Sequence, residues 1–340
     1  MKYSFPSALC FPFKIFIAVC LFYSCSENKQ KEDEVVVPEK PIVSKPRVIP
    51  PDFNSDSSFS FVKSQADMGP RVPGSKAHEK SIEYFKKQFE RFGAQVLIQT
   101  GNATTFDGKP WLLKNIVASI NPQTTNRILL AAHYDSRPFS EKETDAKLKG
   151  KPCPGVNDGA SGVGVLLEVA RILQQKNPGI GVDIILFDLE DYGMPNGGPE
   201  MADSWCLGSQ YWSKNPHKQN YSARFGVLLD MVGAKDAMFA REGYSAFYAN
   251  DILDKVWKAA DKCGSGKYFN KEEYGEITDD HYYINKIAQI PCIDILHYDI
   301  YKGSFFEHHH KNSDDLSTID KNTLKAVGQT LLEVIYNEDH

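Results

Sequence analysis

Acidic and histidine side chains follow the apolar runs of this sequence at the point where each run ends. The runs and the polar residues that follow them are 127–132 with His133, 182–187 with Glu190 and Asp191, 227–229 with Asp230, and 293–296 with His297. In open α/β sheets the functional groups gather just beyond the carboxyl ends of the strands, so we expect these side chains to converge on one cleft. A mixture of imidazole and carboxylate ligands suits zinc or a similar divalent ion.

Two further segments carry the same residue types. Asp158 lies in a glycine-rich turn, VNDGASG, that leads into a predicted helix, and three consecutive histidines, His308 to His310, precede the last predicted helix. A single histidine is more often a core or surface residue than a ligand, and an acid pair such as Glu190–Asp191 usually lies in a solvated loop. Acids and histidines at four successive strand ends are harder to explain in that way. Two adjacent acids also allow one carboxylate to hold a metal while its neighbour acts as a base.

Runs that are typical of strands alternate with segments of helical period. The predicted strands are 94–99, 112–120, 127–133, 182–187, 225–230 and 290–296, and the predicted helices are 76–92, 161–173, 246–263 and 321–336. This alternation predicts an α/β fold in which helices flank a mixed, mostly parallel central sheet. About 290 residues remain after an N-terminal leader and linker, which fits a single catalytic domain over residues 52–340.

The first 25 residues differ in composition from the rest. Their only charges are two lysines, and the apolar run Ile15–Tyr23 is too short to span a bilayer but has the length of a signal-peptide core. Ser24 and Cys25 follow directly and are similar to a bacterial lipoprotein cleavage site, with Cys25 as the lipidated residue; a plain secretory signal is the alternative. Both predict an exported enzyme of a Gram-negative bacterium, periplasmic or anchored to a membrane. Residues 26–51 are rich in Lys, Glu and Pro and predict a disordered tether.

Charge and cysteine content exclude some other classes of protein. The formal net charge of −5 provides no basic field, which argues against nucleic acid as a partner. Outside the leader there are four cysteines, in no CxxC pattern, so a zinc finger has no support. In an oxidising compartment these cysteines could form up to two disulfides, and their spacing leaves the pairing open. They are Cys153, Cys206, Cys263 and Cys292.

A series of short motifs occurs in a characteristic order along the chain. The motifs are HYDS (133–136), VNDGASG (156–162), FDLEDYG (187–193), LLDMVGA (228–234), DDH (279–281) and HHKNSDD (309–315). In order and spacing the series resembles the zinc aminopeptidase superfamily, which also contains the glutaminyl cyclases. The resemblance implies that the first metal ligands are Asp158, Asp191 and His310, where Asp191 replaces a more usual glutamate. It further implies that Glu190 is the general acid/base.

The same resemblance leaves two activities open. His133 and Asp230 match the residues that hold a second zinc in the two-metal aminopeptidases, and cyclases keep these positions although they usually bind one metal. Three features favour a cyclase: Asp279 in the DDH motif, His297 at the end of DILH, and the long segment 192–212, which resembles loops of the Bacteroidetes-type cyclases. The alternative is a two-zinc metallo-aminopeptidase, and a catalytically silent binding protein on the same fold is a third possibility.

The cyclase resemblance implies a specific set of roles. One zinc is expected per chain, against two for the aminopeptidase, and the substrate is the N-terminus of a peptide or protein. Glu190 would move the proton, while Asp230 and Asp279 would hold the leaving amide nitrogen through a shared hydrogen bond. His309 stands where animal cyclases have a tryptophan and is an alternative metal ligand. Trp205 and Trp212 either wall the substrate pocket, with His297, or belong to the core.

Overall fold

The computed structural model of the chain describes residues 47–338. From Arg47 onward the chain forms one compact unit. The predicted leader with Cys25, and the predicted tether as far as residue 46, lie outside the described residues. Within the described part, no helix combines the length and the apolar composition that a membrane span requires.

The centre of the fold is a six-stranded sheet of β1 (Gln95–Thr104), β2 (Pro110–Ile120), β3 (Arg127–His133), β4 (Gly181–Phe187), β5 (Gly226–Asp230) and β8 (Cys292–Leu296). The strand order across the sheet is β1-β2-β4-β3-β5-β8. Strands β4, β3, β5 and β8 are parallel to one another, and β2 and β1 extend the β4 edge in antiparallel fashion. The predicted α/β class and its mixed, mostly parallel sheet are confirmed.

Helices cover the sheet, and two short two-stranded ribbons lie beside it. The helices are α1 (Ser55–Met68), α2 (Lys76–Arg91), α3 (Ala160–Gln175), α4 (Leu207–Lys214), α5 (Gly243–Lys262), α6 (Asp280–Tyr283) and α7 (Lys321–Tyr336). The ribbon strands are β6 (Phe239–Arg241), β7 (Phe269–Glu273), β9 (Tyr298–Asp299) and β10 (Ser304–Phe305). Single helical turns occupy Pro199–Ser204, Gly266–Tyr268, Ile284–Ala288 and Leu316–Thr318.

The two faces of the sheet bury separate sets of apolar side chains. Along β3, Ile128 and Leu130 pack into the large core under α3, α5 and α7, whereas Leu129 and Ala131 pack on the opposite face. This alternation follows from the two-residue period of a strand. Every residue of β3, β4, β5 and β8 is buried, as expected for parallel strands that are covered on both faces.

Some parts of the fold differ from the sequence-based expectation. Helix α1 was not predicted because its sequence is rich in serine and lacks a clear apolar period. The segment 192–212, predicted to be a long loop, contains the turn Pro199–Ser204 and the first part of α4. Arg47, assigned to the tether, forms an ion pair with Glu333 of α7, so residues 47–51 belong to the folded unit. The four described cysteines are free thiols rather than disulfides.

Candidate active site

The polar residues that follow the parallel strands meet at one edge of the sheet. His133 at the end of β3 is central: its Nε2 atom lies 3.1 Å from Asp158 Oδ1 and 3.2 Å from Asp230 Oδ1. Its Nδ1 atom lies 3.6 Å from Glu190 Oε2. The carboxyl ends of parallel strands thus bring together side chains that are far apart in sequence, as the pattern of strand ends indicated.

Two buried carboxylates fix the backbone beneath the candidate ligands. Asp314 accepts hydrogen bonds from the backbone N–H groups of Asn157 and Asp158, at 2.8 and 3.1 Å. Asp135 accepts from the N–H groups of Glu190 and Asp191, at 3.1 and 3.2 Å. Each side chain accepts from two consecutive backbone N–H groups, so it holds its segment in a fixed orientation.

Strained backbone occurs at several positions around the site. Leu189, directly before Glu190, has φ +53°, and Met231, directly after Asp230, has φ +50°. His310 itself has φ +58°. Side chains other than glycine rarely adopt this left-handed region, which costs about 1–3 kcal/mol per residue and is concentrated at functional sites. The strained backbone therefore lowers local stability and sets the direction of these side chains.

Two glycines allow close approaches that a Cβ atom would block. A Cβ on Gly159 would lie 2.4 Å from the carbonyl oxygen of His133 and 2.7 Å from its ring. A Cβ on Gly193 would lie 1.9 Å from the ring of Trp205. The first glycine lets the Asp158 turn pack against His133, and the second lets Trp205 reach the cavity.

Asp158, Asp191 and His310 form an arrangement that fits a divalent cation. His310 Nε2 lies 3.1 Å from Asp191 Oδ1 and 4.0 Å from Asp158 Oδ2. Asp191 Oδ1 is buried and receives no hydrogen bond from any described residue. An unsatisfied buried carboxylate oxygen that faces an imidazole nitrogen is the donor set expected of a zinc site. Asp191 therefore reaches His310 in spite of its shorter arm, whereas the compact ligand groups found among the described residues join Asp158 to histidines and to Asp230 and not to Asp191.

Asp158 also belongs to a second possible metal group. His133, Asp158 and Asp230 place ligand atoms within 4.8 Å of one another, and Asp158 and His310 do so together with His309. Asp158 faces His133 with Oδ1 and the two later histidines with Oδ2. The residues of the two-metal alternative are thus brought together as well, and their geometry alone does not separate one metal from two.

Burial and neighbouring acids raise the pKa values of Glu190 and Asp230. Burial raises the pKa of Glu190 well above its usual range, Asp191 and Asp279 raise it further, and His133 opposes them. Burial raises the pKa of Asp230 to about 7, with Asp158 and Asp279 adding to the effect. A glutamate whose pKa is raised above its usual range is suited to general acid/base chemistry.

A cavity of about 520 Å³ opens over these residues. The predicted residues that line it are Asp158, Glu190, Asp191, Trp205, Asp230, Asp279, His309 and His310. The Trp205 ring stacks on His310, with the ring centres 5.9 Å apart, and the Arg137 guanidinium lies 4.4 Å from the centre of the Trp205 ring. One wall is thus aromatic and the floor is acidic.

Two residues predicted to line the pocket lie elsewhere. Trp212 is fully buried on the face of α4 that packs against Phe187 and Tyr221, so it belongs to the core. His297 lines a neighbouring cavity of about 1150 Å³, which adjoins the smaller one at Lys142, Phe305 and His309. We assign the chemistry to the smaller cavity because the predicted base and ligands line it.

Other residues of the site were missed by sequence reasoning. Cys206 donates its thiol hydrogen to Glu190 Oε1 across 3.5 Å, and Glu141 Oε1 lies 2.6 Å from His310 Nδ1. Residues 276–278, directly before the DDH motif, also line the cavity. Their position beside that motif was a usable signal, whereas neither Cys206 nor Glu141 stands in any of the motifs.

Comparison with known proteins agrees with this site. Residues 115–335 match peptidase family M28, which is more than half of the chain. The chain belongs to peptidase family M28. The predicted relationship to the zinc aminopeptidase superfamily is confirmed, and the family and the donor set agree on zinc as the cofactor.

Several solved structures resemble the chain over most of its length. A glutaminyl cyclase of Bacteroides thetaiotaomicron bound to N-acetylhistamine is 49% identical, with TM-score 0.84, and the match covers 86% of this chain and 100% of that one. A glutaminyl cyclase of Tannerella forsythia is 46% identical, with TM-score 0.82 and coverage of 85% and 100%. A leucine aminopeptidase precursor of Bacteroides thetaiotaomicron is 49% identical, with TM-score 0.83 and coverage of 86% and 100%.

Among curated relatives the match is more partial. The chain spans less than half of the length of two of those that it matches, 45% and 38%.

Proposed function

We propose that this M28 protein is a zinc-dependent glutaminyl-peptide cyclotransferase, which converts the N-terminal glutamine of peptides and proteins to pyroglutamate and releases ammonia. The observation that carries the proposal is 49% identity across the whole of a solved glutaminyl cyclase. The cavity supports it, because the acids that this reaction requires, Glu190, Asp230 and Asp279, all line it.

The reaction joins two groups of the same substrate residue. The α-amine attacks the side-chain amide carbonyl of its own glutamine and ammonia leaves, so no water molecule has to be activated. Asp158, Asp191 and His310 would hold the zinc, which when bound polarises the amide carbonyl and stabilises negative charge on its oxygen.

Glu190 moves the proton in this scheme. Its carboxylate accepts a proton from the substrate α-ammonium group, which frees the amine to attack, and returns that proton to the leaving nitrogen; the new ring nitrogen then gives up its second hydrogen to the same carboxylate. Burial raises the pKa of Glu190, which makes its carboxylate a stronger base and lets it keep the proton until the nitrogen leaves. The Cys206 thiol, 3.5 Å from Oε1, helps to orient the carboxylate.

Asp230 and Asp279 act on the leaving group. Both line the cavity, and the negative charge of Asp279 contributes to raising the pKa of Asp230 to about 7. A carboxyl group with so high a pKa can keep its proton and donate a hydrogen bond to a neighbouring acceptor. The pair can then accept hydrogen bonds from the amide nitrogen of the substrate, while Trp205, Met201 and Phe305 limit access of water.

An aminopeptidase is the second candidate function. The grouping of His133, Asp158 and Asp230 is the observation that favours it, because a second metal there would make a two-metal hydrolytic site. Bound zinc separates the two: about one zinc per chain in the active protein supports the cyclase. A second equivalent that is required for activity would support the peptidase.

We further propose that the enzyme is exported and anchored through a lipid on Cys25. The support is the leader sequence alone, with its short apolar run followed by Ser24 and Cys25. Expression with a radiolabelled fatty acid should label the wild-type protein and not the variant Cys25→Ala. Equal labelling of both would contradict the anchor.

A further inference from the structure

His309 and His310 both lie beside the proposed zinc site, and the inference drawn from them rests on that proposed site. The rings of His309 and His310 lie 3.7 Å apart, and both are buried. The Nε2 atom of His309 lies 3.8 Å from Asp158 Oδ2, and that of His310 lies 4.0 Å from the same oxygen. Distance to the shared aspartate therefore does not decide which histidine binds the metal.

The partner of His310 fixes the proton on its Nδ1 atom. Glu141 Oε1 lies 2.6 Å from His310 Nδ1, and Glu141 Oε2 accepts from Arg137 Nε at 2.8 Å. An ionised carboxylate accepts hydrogen bonds and donates none, so Nδ1 must carry the hydrogen. The lone pair of a neutral His310 is then on Nε2, which faces Asp191 and Asp158. A carboxylate behind a histidine is a common way to orient a metal ligand.

The partner of His309 has the opposite effect. Lys142 Nζ lies 2.5 Å from His309 Nδ1, above the ring of Phe305 at 5.3 Å from its centre. An ammonium group has three donors and no acceptor, so Nδ1 of His309 must accept and its hydrogen resides on Nε2. A nitrogen that carries a hydrogen has no lone pair for a metal. The Nε2–H of His309 instead points toward the negative charge of Asp158.

We infer that Glu141 and Lys142 are positioning residues that select His310 as the metal ligand and exclude His309. Two consecutive residues of the segment that follows β3 form hydrogen bonds with two consecutive histidines: Glu141 accepts one and Lys142 donates one. Both residues line the cavity, where each contacts one of the two histidines. Glu141 and Lys142 determine which of the two histidines has a free Nε2 lone pair for the zinc.

Zinc affinity of the full-length protein, measured by competition with a chromophoric chelator, tests this selection. Glu141→Ala should weaken zinc binding by about 10–100-fold, because loss of an outer-shell partner has effects of that size. His310→Ala should weaken it at least as much, and His309→Ala by less than about threefold. Glu168→Ala is a matched control, since Glu168 is a buried carboxylate paired with Arg171, away from the described site. Unchanged affinity in Glu141→Ala, or a larger loss in His309→Ala than in His310→Ala, would overturn the inference.

Nitrogen chemical shifts of ¹⁵N-labelled histidines give a readout that needs no turnover. In the metal-free protein we expect a hydrogen on Nδ1 of His310 and on Nε2 of His309, and zinc should shift only Nε2 of His310. In Lys142→Met, the tautomer of His309 should change and that of His310 should not. A zinc-dependent shift at His309 would contradict the selection. These readouts hold for either reaction, so a failed cyclase assay would leave them interpretable. If Glu141→Ala misfolds, Glu141→Leu replaces it, because leucine fills the space but provides no acceptor oxygen.

Discussion

At the scale of single residues, chemical type and position relative to a strand end were enough to find most of the site. Glu190, Asp230 and Asp279 line the cavity together with the three predicted ligands. His297 shows the limit of the method. It follows Leu296, which lines the cavity, and successive residues of an extended chain point in opposite directions, so His297 lines the neighbouring cavity.

The residue with the largest expected effect on turnover is Glu190. In Glu190→Gln the side chain keeps its size but cannot take a proton, so we expect the rate of ammonia release to fall by about 10²–10⁴-fold. Bound zinc should remain near the wild-type amount, because Glu190 is not among the proposed ligands. Glu168→Gln serves as the control for a neutralised buried carboxylate. Wild-type turnover in Glu190→Gln would remove this residue from the mechanism.

The position of the Trp205 ring depends on the absence of a side chain at Gly193. In Gly193→Ala the new Cβ would lie 1.9 Å from the indole, so the ring must leave its place beside His310. We expect a higher KM for glutaminyl peptides, with a melting temperature close to wild type. Gly150→Ala, where nothing lies within 4 Å of the added Cβ, is the matched control. Identical KM values in the two variants would show that Trp205 does not contact the substrate.

At the scale of elements, strands were predicted better than short helices. The run 127–133 was identified with the bounds that the structure has, since a parallel strand buried on both faces is a continuous apolar run. Helix α4 has only eight residues, and Trp212 on it is turned toward the sheet. So short a segment shows too little periodicity to reveal which face is buried.

The start of α5 should make stability depend on pH. Glu242 caps this helix and also accepts hydrogen bonds from Ile277 N and His281 Nε2. Burial alone would raise the pKa of Glu242, but these bonds, that from His281 foremost, lower it from 4.5 to about 2. Its ionised form is therefore favoured in the folded state. The stabilisation is complete above about pH 4.5 and is lost as the pH falls toward 2, on the order of 3 kcal/mol in all.

Urea unfolding at several pH values checks this expectation. The free energy of unfolding of Glu242→Gln should lie below that of wild type at pH 7, and the difference should shrink as the pH falls below about 4.5. A difference that is independent of pH between 7 and 3 would mean that ionisation of Glu242 does not stabilise the fold.

At the scale of the whole molecule, the proposed zinc site joins segments that are distant in sequence. Asp158 lies in the turn before α3, Asp191 follows β4, and His310 lies in the connection before α7. A metal that binds the folded state and not the unfolded chain stabilises the fold by about 2.7 kcal/mol at one hundred times its dissociation constant. Dialysis against a chelator should lower the melting temperature, and added zinc should restore it. The same treatment should have little effect on His310→Ala; an equal shift there would place the metal elsewhere.

The overall architecture was predictable from the order of the motifs along the chain. Several of these motifs follow a strand directly, and the parallel strands end at the same edge of the sheet. Which of His309 and His310 faces the metal was not predictable, because Glu141 and Lys142 reach them from a segment about 170 positions earlier. Contacts of that kind exist only after the chain has folded.

The central claim is that this site cyclises rather than hydrolyses. The most direct measurement incubates the zinc-loaded protein with two peptides that differ only in their first residue, glutamine or leucine, and follows both by mass spectrometry. The account predicts that the glutaminyl peptide loses one ammonia and stays otherwise intact, while the leucyl peptide is unchanged. Release of free leucine, with no loss of ammonia from the other peptide, would contradict it and identify an aminopeptidase.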